Sequence, residues 1–337
     1  MAAAYARQAV TAENATSLPA KVRQDAAWVM GQAEFISIDM PRIAEYTAGL
    51  LEKYPLITTL EQDHHFHAHN APEKTAAYIF ALDSVNFGSG YFKVAEVCGI
   101  EMEYNQIAGA LKNAFAANRL SLPVQWASAT PQECHEVFGV PQGRHEKIDT
   151  LMALFAAHLQ ETGRRIIADH GGSVMKLLAA AENSATALVN IIGAWPTFRD
   201  VTDYKGREVA VYKRAQILAA DIFLALQGQA PAAFADMADL TIFADNMVPH
   251  VLRHDGILKY APALAEKIDN GVMIESGSAE ETEIRMAGIH AVECMKNAAA
   301  GEGSRVTSVN LDHILWNRGY EAGIYALPTH RTWSVWY

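Results

Sequence analysis

The chain has 337 residues, half of them apolar and 19% charged, so it can bury a large core as one large domain or two ordinary ones. Its formal net charge of −11 argues against a protein that wraps nucleic acid, because such proteins present a basic face; no stable nucleic-acid binding is expected, whereas a small anionic ligand needs only a local pocket of positive charge. Cys98, Cys134 and Cys294 are scattered and odd in number, which gives neither a disulfide framework nor a zinc knuckle and leads us to expect a reducing, cytoplasmic setting.

In chain order, the opening MAAAYARQAVTAENA is Ala-rich but lacks a continuous apolar run of signal-peptide length. No window approaches the ~18 uninterrupted apolar residues of a membrane span, so no membrane association is expected. Apolar periodicity predicts helices near 20–31, 42–53, 73–87, 104–117, 145–161, 173–194, 212–226, 247–254, 258–268, 279–298 and 308–318. Asn70-Ala71-Pro72 and Gly171-Gly172-Ser173 read as helix openings, and Ser278 with Glu281 reads as a capping box. Strand signals are few: FISID (35–39), a small hairpin around Lys205-Gly206 within 200–212, and the terminal WSVWY. The stretch QAPAAFA (229–235) reads as a loop. Without alternating strands and helices a TIM barrel or doubly wound sheet is not expected. The fold class is predominantly α with a few short strands: one catalytic domain over 1–337, built on one continuous core or on two intimately packed lobes.

Several stretches carry candidate chemistry. Residues 63–70, DHHFHAHN, hold four of the 13 histidines, and His65, His67 and His69 would share one side of an extended strand. Asp83 stands in an apolar helical run, where a carboxylate must be paired, functional or a cap. Arg199, Lys213 and Arg214 are cations flanked by apolar residues, a pattern suited to phosphate or to pairing with Asp200 and Asp203. Asp245 follows Ile242-Phe243-Ala244 at a helix start, where it either caps the helix or faces a developing positive charge. On 308–318, Asp312 and Trp316 share a helix face.

The ordered blocks LDSVNFGSGYF, GGSVMKLLAAAENSA, FRDV, YKRAQIL, FAD-x-x-VP-x-VL-x-H-x-G-x-L-KY, E-x-EIR and LDH-x-LW together resemble the queuosine salvage family, the queuosine 5′-phosphate N-glycosylase/hydrolases. The resemblance covers the chain from about residue 70 onward; the helices of residues 1–60 match weakly. It implies a helical fold like that of the DNA glycosylases, and hydrolysis of the N-glycosidic bond of queuosine 5′-monophosphate to queuine and ribose 5-phosphate. It also implies no metal or organic cofactor and a small nucleotide as partner. Asp245 then matches the catalytic carboxylate. Ala244 contacts the base through its backbone, and Asp312 and His313 match base-recognition positions. Asn317 stands where relatives often carry aspartate, which puts one charged contact to the queuine side chain in doubt. A pocket histidine precedes the LDSVNF helix, with His67 preferred over His64 and His65. Phe243 and Trp316 offer stacking surfaces, and Asp83 is assigned to the pocket. Two rivals remain: a metal-dependent amidohydrolase-type enzyme using His65 and His67 with His170, His250 or Asp312, and a non-catalytic relative that binds queuine or a nucleotide without cleaving it.

Overall fold

A computed structural model describes residues 16–68, 70–300 and 305–337. Among them are sixteen α-helices and two small antiparallel two-stranded sheets, so the molecule is predominantly α. The buried apolar side chains form one continuous cluster running from Val22 to Ile324. At its centre lies the helix Pro72–Ser84, in which every residue from Thr75 to Ser84 is buried. A helix apolar on all sides must be enclosed, and this one packs against Lys213–Ala225, Glu146–His170 and Tyr104–Ala116. None of the described helices is long and apolar enough to cross a membrane.

Most helices begin and end where the local chemistry directs. Pro72 occupies the first turn of its helix, Ser173 caps Val174–Ala180, and the Ser278 hydroxyl accepts from the Glu281 N–H. The predicted helix near 145–161 continues to His170 and closes on Gly171 at φ 60°. Gly163 does not stop it. The Pro123–Trp126 turn lies so close that a Cβ there would meet the Pro123 carbonyl oxygen at 2.5 Å. The predicted 173–194 helix is in fact two, interrupted at Glu182 and Asn183 in the left-handed region and restarted by Ser184.

Residues 258–260 are a strand rather than a helix start: Leu258–Tyr260 pairs with Ile36–Ile38, and the helix begins at Pro262. The hairpin Val201–Tyr204/Arg207–Ala210 turns on Lys205 and Gly206, both at positive φ, as a two-residue turn requires. WSVWY forms no strand. It runs as irregular chain over the helix starts near the cavity, with Gly88 donating to the Tyr337 carbonyl at 2.9 Å. Residues 229–235 contain no helix or strand, as expected of a loop.

Candidate active site

A cavity of about 1680 Å³ opens along one face of Lys213–Ala225, which contributes Lys213, Ile217, Asp221 and Leu224. These positions recur every three or four residues, as one helical face demands. The opposite walls are the loop before Met247–His254 and the exposed side of Ser308–Arg318.

Asp245 ends the apolar run of that loop. Its Oδ1 accepts from the backbone N–H groups of Met247 (2.8 Å) and Val248 (3.1 Å), while Oδ2 receives no hydrogen bond from the described residues. The carboxylate is thus both helix cap and cavity group. Burial raises its pKa, and Lys213, the two N–H donors and Arg285 pull the other way.

Asp312 is 4% exposed and accepts from the Phe243 N–H at 2.8 Å, tying its helix to the Asp245 loop. Burial and then Asp245 push its pKa well above the usual carboxylate range, against the Phe243 N–H and Lys213. Next to it the His313 ring lies 6.2 Å from the Phe243 ring, and burial lowers its pKa to about 4, so the ring is neutral. Trp316 lines the cavity, braced edge-on by Tyr104 and Tyr320. Asn317 sits at the mouth and donates to the His313 carbonyl in its own helix at 2.8 Å.

Of the three candidate phosphate cations, only Lys213 lines the cavity. Its Nζ donates to the carbonyl (3.3 Å) and side-chain oxygen (3.2 Å) of Asn86. Burial lowers its pKa, opposed by Asp245, Asp83 and Asp312. Its helix is entered through Tyr212 at φ 52°, a strained conformation for a bulky residue. There the Lys213 N–H donates to Asp200 at 3.1 Å. Arg199, by contrast, is half-exposed and paired with Glu208 at 2.8 Å on the surface. Arg214 is buried and points away, donating to the Ser84 (2.7 Å) and Thr197 carbonyls and to His158 Nδ1 (3.1 Å). Adjacent residues on a helix face different directions, so Lys213 and Arg214 cannot share one anion.

A family model described as "Queuosine salvage protein" matches residues 65–337, most of the chain. This chain belongs to the queuosine salvage protein family. It is 34% identical to a Sphaerobacter thermophilus protein over 92% of this chain and 95% of that one. It is 32% identical to a Dictyostelium discoideum protein over 94% and 98%, and 29% identical to a Mus musculus protein over 81% and 85%. All three carry the name queuosine 5′-phosphate N-glycosylase/hydrolase.

In this queuosine salvage protein the histidine-rich segment is irregular rather than extended, and it delivers His64 and His65 to the cavity wall but not His67. His69 lies outside the described residues. His65 Nδ1 meets the Glu61 carbonyl at 2.7 Å, so that nitrogen carries the proton and Nε2 accepts from the Tyr104 hydroxyl at 2.8 Å. Asp83 sits one layer behind the wall: Oδ1 accepts from Asn86 at 3.0 Å, and Oδ2 is buried without a partner among the described residues. It acts on the cavity through Asn86 and hence Lys213. The Ala244 carbonyl is committed to Arg285 Nε at 3.0 Å, and that guanidinium also grips Asp200 through both oxygens at 3.0 and 2.6 Å. This buried Asp200–Arg285 link joins the start of the Lys213 helix to the Asp245 loop. Sequence reasoning missed it, although FRDV and E-x-EIR contain both partners. Asp221, a carboxylate inside LAADIFLAL, was missed as well. Among the described residues no group of three or more His, Cys, Asp or Glu is placed to hold a metal ion. Of the rings the metal reading named, His65 is engaged as above and His250 meets the Ile324 carbonyl at 3.1 Å.

Proposed function

We propose that this chain is an N-glycosyl hydrolase, as its relatives are named, and that it cleaves queuosine 5′-monophosphate to queuine and ribose 5-phosphate. The observation that carries the reading is the presence of two differently held neighbouring carboxylates, Asp245 and Asp312, in a cavity whose facing helix supplies the buried cation Lys213. Water adds to C1′ as the C1′–N9 bond breaks; the bonding pair leaves with the base, which takes up a proton. The ribose becomes oxocarbenium-like on the way, and a fixed carboxylate stabilises that charge and orients the water. Asp245 has one oxygen held by backbone N–H groups and the other without a partner among the described residues, which suits that task.

A 7-deazaguanine has carbon at position 7, so the usual protonation site is missing and the burden on the ribose side grows. Its N1–H and exocyclic amine are paired donors, and a carboxylate such as Asp312 accepts both. Those donors would favour the ionised form that burial and Asp245 disfavour. Phe243, His313 and Trp316 supply apolar faces for the base, and Lys213 supplies the charge for the phosphate. The test is base release: purified protein with queuosine 5′-monophosphate should yield queuine and ribose 5-phosphate in equal amounts. Tight retention of the intact nucleotide without release would support the binding-only alternative instead.

A further inference from the structure

The proposed chemistry leaves one buried acid on the cavity wall without a task. Asp221 is 3% exposed, sits in the middle of the apolar helix Lys213–Ala225, and lines the cavity. It accepts no hydrogen bond from any described residue, and in mid-helix it caps nothing. A carboxylate so placed is costly unless a ligand completes it. Its surroundings make matters worse: burial and the nearby Asp83 raise its pKa well above the normal range, Lys213 opposes them, and Asp312 adds to the rise.

Geometry indicates which part of a ligand would reach it. Lys213 and Asp221 lie on the same helical face, eight residues and therefore about 12 Å apart along the axis. That is comparable with the reach of a nucleotide from its 5′-phosphorus to the outer substituents of its base. With the phosphate at Lys213 and the base between Phe243 and Asp312, Asp221 falls beyond the base. Queuosine carries there, on C7, an aminomethyl group whose secondary amine is cationic. Among the described residues lining the cavity, the electrostatically linked set around Lys213 holds three acids, Asp221, Asp245 and Asp312, so an incoming ammonium would offset their excess negative charge.

We propose that Asp221 recognises the C7 ammonium of the base and selects queuine over guanine-type bases that lack it. This rests on reading the cavity as a queuosine 5′-monophosphate site.

The experiment is calorimetric titration of wild type and Asp221→Asn with queuine and with 7-deazaguanine, which has the same ring system and no substituent. A charge-assisted hydrogen bond lost from a buried site corresponds to about tenfold or more in affinity. Asp221→Asn should lose that factor for queuine and almost nothing for 7-deazaguanine, while Asp221→Glu, which keeps the charge, should retain much of the preference. On unmodified protein, a queuine analogue with CH₂ in place of the side-chain nitrogen should lose a similar factor, a measurement that needs no folded variant. Equal losses for both bases, or no loss for queuine or for the neutral analogue, would overturn the assignment. Because binding is read without turnover, a protein that discriminates the bases but releases none would refute the hydrolase reading and leave this one standing.

Discussion

The two oxygens of Asp245 are held differently, and the difference makes a charge test possible. Oδ1 accepts two backbone N–H groups, an arrangement that an amide oxygen reproduces, whereas Oδ2 has no partner among the described residues. Asp245→Asn should therefore preserve the helix cap and lose turnover by a factor on the order of 10² or more, as removal of a preorganised electrostatic group does. Queuine, which lacks the ribose, should still bind. Asp312→Asn should do the reverse, weakening queuine through loss of an acceptor for the guanine-like edge. Single-turnover cleavage beside queuine titration separates the two, and near-normal cleavage by Asp245→Asn would sink the mechanism. The cations divide in the same way. Lys213→Ala should weaken the monophosphate far more than the free nucleoside, and equal losses on both would make the lysine structural. Arg199→Ala should change neither, since an exposed ion pair is worth ~0–1 kcal/mol. Asp245, Asp312 and Lys213 could be singled out because each stands in a distinctive block, and all three line the cavity. Arg199 and Arg214 were grouped with Lys213 as phosphate cations, because sequence spacing says nothing about which partner a guanidinium finds in three dimensions.

Elements carry the site through a few buried links between distant segments. Arg214 fastens Lys213–Ala225 to the end of Pro72–Ser84, through the Ser84 carbonyl, and to the 197 turn and His158. A lysine carries its three N–H groups on one atom, without the planar fork that lets a guanidinium span these partners at once. Arg214→Lys should therefore cost about 3 kcal/mol or more, the scale for leaving buried polar partners unpaired, read as a lower urea midpoint. The same urea series on Arg199→Ala should be nearly superimposable on wild type, and a small effect for Arg214→Lys would show the network to be dispensable. The helices themselves were largely legible, because 3.6-residue periodicity and capping residues are local signals. Failures occurred where a distant partner decides. Leu258–Tyr260 becomes a strand only because Ile36–Ile38 lies beside it, and Gly163 marks the close approach of the Pro123–Trp126 turn rather than a helix end. Ser89–Val97 and Pro131–Val137 were missed because such short helices are held by packing more than by pattern. Asp221 escaped notice for a related reason: its segment reads as plain core, and only the assembled cavity shows that the wall has an opening there.

Over the whole molecule, burying ionisable groups on both sides of neutrality gives a testable dependence of stability on pH. His330 is 2% exposed, and burial, followed by Arg285 and His250, lowers its pKa to about 3. Burial of Asp83, opposed by Asn86, Lys213 and Arg214, raises its pKa to about 7. The signs are opposite. For His330 the unfolded chain takes up a proton first, near its unfolded pKa of about 6.5, so the stability it supports is complete above that pH and lost as pH falls toward 3. For Asp83 the folded chain takes up the proton first. Its ionised form is a cost borne in full above pH ~7, and relieved as pH falls toward the unfolded value of about 4. His330→Gln should therefore improve relative to wild type as pH is lowered from 7 to 4.5. Asp83→Asn should be at its best relative to wild type at pH 7.5 and lose that advantage by pH 4.5. Comparing each variant with wild type at every pH cancels contributions from the other titrating groups, including the neutral His158 and His313. Urea denaturation of the three proteins at pH 7.5, 6 and 4.5 provides the check. Two difference curves that run parallel with pH would mean that at least one of the groups is not held in the buried state described, whereas opposite slopes in the stated directions would show that the core holds both an imidazole and a carboxyl group in their neutral forms.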